Sequence, residues 1–202
     1  MIKRLWFRGL SRARLYRRLV LREWLLSQTF PEISAHVPVC VSLLAAGEVD
    51  PYMALRPDQS IAEVRRRLDE GHQCFAVWHE QRIIHAAWAV TRRVRFEYLS
   101  SEIGLAPDEV CVYDAFTAPA FRGLGASPVR AREMRRYFGD RGYRCLLSAV
   151  LPENKSGLRV SEKAGRYRSM GVIGYVGLGP WRHVFCRMER GASPPGRARR
   201  AP

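Results

Sequence analysis

Long apolar runs are missing from this 202-residue chain. None approaches the roughly 20 residues that span a bilayer, and no signal-type apolar core follows the basic N-terminus. Paired cysteines are missing too. Cys40, Cys74, Cys111, Cys145 and Cys186 are odd in number, scattered, and mostly set inside apolar stretches. No C-x-x-C pair or zinc spacing occurs among them, so the expectation is buried reduced thiols, no metal centre and a soluble cytoplasmic protein. Lysine is scarce: Lys3, Lys155 and Lys163 are the only ones among 34 basic residues. Such an arginine bias fits a GC-rich genome and is weak support for a nucleic-acid partner.

Positive charge is plentiful but unevenly placed. Of the net +15, the first 25 residues hold +7 and the last 16 hold +4, leaving +4 for the whole interior. The central chain is therefore mildly basic, enough to draw an anionic ligand or an acidic protein but not to predict nucleic-acid binding. A hydrophobic share of 47% and this length suit one domain with a sizeable core.

Along the chain, Leu10–Gln28 shows apolar pairs four apart: Leu15/Leu19, Tyr16/Val20, Val20/Trp24 and Leu21/Leu25. With Arg12, Arg14, Arg17, Arg18 and Arg22 among them, the spacing predicts a basic amphipathic helix over an N-terminal extension, residues 1–33. Such a helix either packs on the domain with a solvated charged back or docks on a membrane surface or acidic partner. The main domain, 34–190, should hold a strand at Val37–Leu44, a helical region from Pro51 to Glu70 stopped by Gly71, and a hairpin of Gln73–His79 and Arg82–Arg93 about Glu80-Gln81. Phe96–Leu99 extends or follows that sheet. Glu109–Thr117, Cys145–Val150, Gly171–Val176 and Trp181–Met188 read as further strands, and Pro128–Phe138 and Lys155–Lys163 as helices. The Arg/Pro-rich tail, 191–202, has the composition of a disordered segment. This order predicts a mixed α/β sheet with helices on both faces.

The most informative stretch runs from Val110 to Phe138. An apolar strand ends at Thr117, a short Ala118–Phe121 connection follows, and two glycines open a helix. Ser127 suits an N-cap and Pro128 a first helical position. Unpaired N–H groups and the helix dipole at such an entrance attract anions. Gly123 and Gly125 allow close approach of a phosphate, and Arg122 offers a charge-assisted contact. Downstream, Pro152-Glu153-Asn154 opens a segment that closes Glu162-Lys163-Ala164-Gly165.

Together these two patterns resemble the GNAT (general control non-derepressible-related N-acetyltransferase) superfamily. Its signature is Arg/Gln-x-x-Gly-x-Gly/Ala after the fourth strand, with an asparagine and a Glu-Lys-x-Gly helix after the fifth. Arg122-Gly123-Leu124-Gly125-Ala126-Ser127 follows the first with Ser127 at the last small position, and Asn154 through Gly165 follows the second. The resemblance spans residues 36–188. It implies a GNAT fold, a mixed and mostly antiparallel sheet of about seven strands flanked by helices, with the N-terminal helix as an addition.

The implied activity is acyl transfer from acetyl-CoA or another acyl-CoA to an amine of a small molecule or peptide by direct attack. The N–H groups of Gly123, Leu124, Gly125, Ala126 and Ser127, with Arg122, would hold the coenzyme A pyrophosphate. Ala115-Phe116-Thr117 would pair with the pantetheine arm, the Ala115 N–H would stabilise the oxyanion, and Asn154 would contact the arm or hold the strands apart. The family's usual acid tyrosine, seven residues beyond the asparagine, is here Ser161. Tyr113 and Tyr167 are the candidate replacements. Asp114, costly in an apolar strand unless paired or lining a cleft, could bind or deprotonate the amine or accept hydrogen bonds at a bulge. Glu97, His79 and His85 are lesser candidates, and Trp78 and Trp88 could line an acceptor pocket or the core. Three alternatives stand beside this reading: a catalytically silent module holding coenzyme A or an acyl group, an interaction protein whose basic N-terminal helix targets a membrane, ribosome or acidic carrier, and an acyltransferase that takes its acyl group from an acyl carrier protein.

Overall fold

The structure is a computed structural model that describes residues 16–28, 34–154, 158, 167–178, 181–189, 192, 194 and 195. Residues 1–15, most of the tail 191–202 and, Leu158 apart, the Lys155–Lys163 segment with Ser161 lie outside the described residues. So does the loop position Phe30-Pro31. Among the described residues are ten strands, mostly antiparallel, with helices packed on them. No described helix is long and apolar enough to cross a membrane. The chain divides into two compact units: 26–91 with 110–146, and the N-terminal, 92–109 and C-terminal stretches.

The first unit is built on β2 (Cys40–Leu43), β3 (Gln73–His79), β4 (Arg82–Thr91) and β7 (Glu109–Thr117), paired antiparallel in the order β7-β4-β3-β2. The β3–β4 hairpin forms where predicted. Glu80 and Gln81 both take positive φ, 46° and 64°, the twist-matched geometry of a two-residue hairpin turn. Every residue from Ile83 to Val90 is buried, so the alternation expected for β4 is lost because both of its faces are covered. On one face, Trp88, Ala86 and Cys74 pack with Val49, Tyr52 and Leu55 of α1 (Val49–Leu55) and Val64 of α2 (Ile61–Asp69). On the other, Val77 and Ile84 meet Ala126 of α3 (Ala126–Gly139).

The helical region expected over Pro51–Glu70 is broken into those two helices. Arg56 precedes Pro57, whose ring disfavours helical dihedrals in its neighbour, and Arg56 sits at φ −127°, ψ 65°. Ser60 then starts α2, accepting the Glu63 N–H at 3.1 Å. The α3 entrance also differs from expectation. Gly125 is the N-cap, in the left-handed region at φ 86°. Ser127 is therefore the second helical residue, not the cap, and Pro128 the third, where a missing N–H still costs no helical bond. A Cβ on Gly125 would lie 2.9 Å from Ala35 Cα, whereas one on Gly123 (φ 82°) would meet nothing within 4 Å.

The second unit carries the clearest correction. Residues 16–25 form a strand, β1 (Tyr16–Leu25), not a helix. It pairs antiparallel with β9 (Arg168–Leu178), which in turn pairs with β10 (Trp181–Met188). The misreading has a simple cause: a spacing of four keeps two residues on one face of a strand as well as of a helix. Its arginines are also used internally. Arg17 donates to the Tyr98 carbonyl at 2.7 Å and Arg22 to that of Leu158 at 3.1 Å, while Arg12 and Arg14 of the expected docking face lie outside the described residues. Between Arg93 and Gly104, a ribbon of β5 (Arg93–Phe96) and β6 (Ser101–Gly104) takes the place of the expected extension at Phe96–Leu99. The strand β8 (Cys145–Val150) matches its expected bounds.

His85 on β4 is a satisfied core histidine. Arg130 Nε–H approaches its Nε2 at 3.3 Å, which assigns the ring proton to Nδ1, 2.7 Å from Thr117 Oγ1. Burial, with the Arg130 charge, pulls its pKa down to about 3. The unfolded chain takes up this proton near pH 6.5 and the folded chain does not. Stability should therefore fall as pH drops from about 6.5 towards 3, by up to about 1.4 kcal/mol per pH unit from this group. Urea denaturation of His85→Gln at pH 7 and pH 4.5 should show a smaller loss than the parent; an equal loss would remove His85 from the account. The two loop glycines should also separate in the same assay. Gly123→Ala should cost about 1 kcal/mol for its backbone alone, and Gly125→Ala distinctly more because its Cβ meets Ala35.

Candidate active site

The site begins with an irregularity in β7. Trp88 of β4 pairs with Tyr113 and Ala86 with Phe116, so Asp114 and Ala115 together oppose the single residue Ala87. This is a β-bulge, and Asp114 sits in the left-handed region at φ 49°. Aspartate tolerates that region better than most residues, though at a local cost that its surroundings offset. The surroundings are explicit. Asp114 Oδ1 accepts from Arg56 Nη1 at 2.6 Å; Oδ2 accepts from Gln59 Nε2 at 2.6 Å and Arg67 Nη1 at 2.8 Å. Each arginine is held in turn by a second carboxylate, Arg56 by Asp58 and Arg67 by Glu63, both at 2.9 Å. Aromatic rings complete the clamp: the Arg56 guanidinium lies 4.9 Å from the Phe116 ring centre, and that of Arg67 lies 5.4 Å from those of Trp88 and Tyr113.

This arrangement sets the electrostatics. Burial raises the Asp114 pKa, but hydrogen bonds from Arg56, Arg67 and Gln59 outweigh it and leave the carboxyl below its ordinary value. A carboxylate so engaged is a poor proton acceptor at neutral pH. Its neighbour offers different chemistry. The Tyr113 hydroxyl lies 2.6 Å from His72 Nδ1. Burial pushes the Tyr113 pKa up, keeping the phenol protonated. Burial likewise lowers the His72 pKa, so the imidazole is neutral at pH 7.

Beyond the bulge, Phe116 lies under Arg56 and Thr117 is tied to His85. A short helical turn over Pro119–Phe121 then leads into the glycine loop. Arg122 and Gly123 are exposed, Leu124, Gly125 and Ser127 partly so, and Ala126 is buried. The Leu124 carbonyl accepts the His36 N–H at 2.9 Å, and Val129 N–H reaches the Gly125 carbonyl at 3.2 Å. That last bond opens α3, so the N–H groups of its first turn have no carbonyl one turn earlier. The open space beside Gly123, the exposed Arg122 and this helix entrance fit a pyrophosphate.

Of the sequence-derived residues, Tyr113 to Thr117 and Arg122 to Ser127 lie on one continuous strand–loop–helix run of a single unit. Ala115 is exposed and has no register partner on β4. Asn154 belongs to the other unit, where its N–H bonds the Leu151 carbonyl at 2.9 Å and its carbonyl accepts from Leu158 at 3.0 Å. Tyr167 packs its ring 4.8 Å from that of Trp24. His79 is bonded to the Pro38 carbonyl at 2.8 Å, Glu97 pairs with Arg95 at 2.8 Å, and Trp78 donates to Ser42 at 2.9 Å. Trp88 is core, donating to the Tyr52 hydroxyl at 2.8 Å. Sequence reasoning missed Arg56, Gln59, Arg67 and His72. The one signal for them was that a carboxylate in an apolar strand requires partners.

No protein-family model and no curated protein matches the sequence. Solved structures do. One, from Novosphingobium aromaticivorans, is assigned to the GNAT family of acetyltransferases; it is 19% identical with a TM-score of 0.52 over 79% of this chain, which spans 62% of that protein's length. Another is AAC(6')-Iy in complex with the bisubstrate analogue CoA-S-monomethyl-acetylneamine, 18% identical with a TM-score of 0.53, covering 75% of this chain and 99% of that one. A third is the GCN5-related glucosamine N-acetyltransferase region of a fungal multi-domain β-N-acetylglucosaminidase, 13% identical with a TM-score of 0.60 over 82% of this chain and 22% of that one. At such identities the likeness is one of architecture, and the architecture of this chain is the GNAT acetyltransferase fold.

Proposed function

We propose that this protein is an acyl-CoA-dependent N-acyltransferase, with acetyl-CoA as the first donor to test and a small-molecule amine as acceptor. The observation that carries this reading is the pairing of a strained bulge at Asp114-Ala115 with an open glycine-lined helix entrance on the same strand–loop–helix run. By name, AAC(6')-Iy is an aminoglycoside N-acetyltransferase and the fungal region a glucosamine N-acetyltransferase, which supports a small amine acceptor.

The co-substrate supplies an acyl group activated as a thioester. The N–H groups of residues 123–127 and Arg122 bind its pyrophosphate, and Ala115 to Thr117 align the arm. The Ala115 N–H donates to the carbonyl oxygen as negative charge develops there. The amine nitrogen forms the new C–N bond, the C–S bond breaks, and the thiolate, with a pKa near ~8.5 for its free thiol, leaves without needing a strong acid. The amine's proton passes to the Tyr113 hydroxyl as that hydroxyl gives its own to His72 Nδ1. Tyr113 and His72 thus take the role first considered for Asp114, whose oxygens are already occupied.

Titration calorimetry with acetyl-CoA should show binding, and its absence at high micromolar concentration would refute the assignment. Gly123→Asn and Gly123→Asp are nearly isosteric and both tolerate positive φ, so their difference isolates the added anion. The aspartate variant should bind coenzyme A about tenfold more weakly than the asparagine variant, whereas equal affinities would move the pyrophosphate elsewhere. Steady release of free thiol with a panel of amines would exclude the silent-module alternative. Activity needs neutral His72, whose pKa burial lowers from the ordinary imidazole value, so kcat/KM should be maintained at pH 7 and develop an acidic limb only below that ordinary value. His72→Gln should lose that limb and about 100-fold in kcat; an unaltered profile would rule the pair out.

A further inference from the structure

The segment from α1 to α2 reaches the bulge through one carboxylate. Arg56 closes α1, Gln59 lies in the connecting turn, and Arg67 lies in the last turn of α2. All three converge on Asp114 within 2.6–2.8 Å. The side chains of Arg56 and Arg67 are only 11% and 14% exposed, and that of Asp114 21%. Asp58 and Glu63 fix the two guanidiniums from behind, so neither can turn to another acceptor without leaving a buried charge unpaired. The bulge itself has no glycine to ease its geometry: the left-handed residue is Asp114. The flanking register pairs Trp88–Tyr113 and Ala86–Phe116 confine the extra residue, and the donors on its side chain tie that dihedral to the α1–α2 segment.

We propose that Asp114 is a positioning residue: its carboxylate latches the α1–α2 segment to the β7 bulge and so fixes the backbone at Ala115. This rests on the acyltransferase reading for its catalytic meaning, though not for its structural content. Under that reading the α1–α2 segment and the oxyanion donor form one mechanical unit. An amine acceptor that contacts α1 or α2 shifts Arg56 or Arg67, and the shift passes through Asp114 to the Ala115 N–H. A ligand with no contact to these helices binds without this adjustment. Asp114 does not exchange a proton during turnover, because its two oxygens already accept three hydrogen bonds, two of them from guanidiniums.

Amide hydrogen exchange on the ligand-free protein tests the latch without reference to activity. Asp114→Asn, Arg67→Gln and Gln59→Leu should each accelerate exchange over residues 113–117, and Asp114→Asn should also accelerate it over 56–67. Exchange confined to the mutated segment would overturn the latch. Gln59→Leu removes no charge and serves if the charge-altering variants fail to fold. For turnover, Asp114→Asn should lower kcat about 10–100-fold, the loss expected when an oxyanion donor is displaced. Its acetyl-CoA affinity should stay within about twofold of the parent, and the acidic limb of its pH–rate profile should persist. Loss of that limb would make Asp114 the titrating base and overturn the proposal. Arg67→Lys should recover part of the kcat that Arg67→Gln loses, while equal loss in both would count against a charge-dependent latch. If the parent binds no acetyl-CoA, the acyltransferase reading fails while the exchange experiment still decides the latch.

Discussion

One partly buried carboxylate organises the candidate site. Asp114 occupies a left-handed backbone conformation uncommon for any residue but glycine, and it does so in the middle of a strand whose pairing skips at that point. The local cost, of order 1–3 kcal/mol, is met by two arginines and a glutamine drawn from separate elements. Those arginines are in turn seated on the rings of Phe116, Trp88 and Tyr113. Strand, helices and aromatic core are thus joined at a single ionic junction, and the exposed Ala115 beside it inherits its position from that junction.

The division of labour between neighbours follows. Tyr113, Asp114 and Ala115 are consecutive, yet each meets a different environment because the bulge breaks the alternation of the strand. Tyr113 meets an imidazole at 2.6 Å, Asp114 meets guanidiniums, and Ala115 is exposed. A regular strand would have placed Asp114 on the face opposite to both. Farther along, Thr117 is committed to His85 and through it to Arg130 of α3. The strand that shapes the candidate reaction centre is thereby tied to the helix whose entrance fits the diphosphate.

Much of this was legible in residues and some of it was not, for identifiable reasons. The hairpin around Glu80-Gln81 and the bounds of β7 and β8 follow from apolar runs bounded by turn residues, a local signal. The glycine loop was visible because helix entrances have a compositional mark, though the cap was misplaced from Gly125 to Ser127. That slip arose because a glycine N-cap has no side chain to announce it. The strand β1 was read as a helix because its apolar residues repeat every four positions, a spacing that both structures satisfy. Its partner β9 lies about 150 residues away, and no local pattern reports a pairing of that range. The clamp was half legible. Asp114 in an apolar strand demanded partners, but nothing in a polar helical segment distinguishes Arg56 and Arg67 from the solvent-facing Arg66, which bonds Glu63 and Glu70 at the surface.

The choice of arginine at both clamp positions fixes how the centre behaves across conditions. A guanidinium keeps its proton at any pH a cell experiences, and its planar face rests on an aromatic ring while its edge meets a carboxylate. A lysine in either place would have been free to shed its charge on burial. The positive half of this cluster is therefore electrostatically constant, and among the described residues that border it the side chain with an ordinary pKa nearest neutrality is the imidazole of His72.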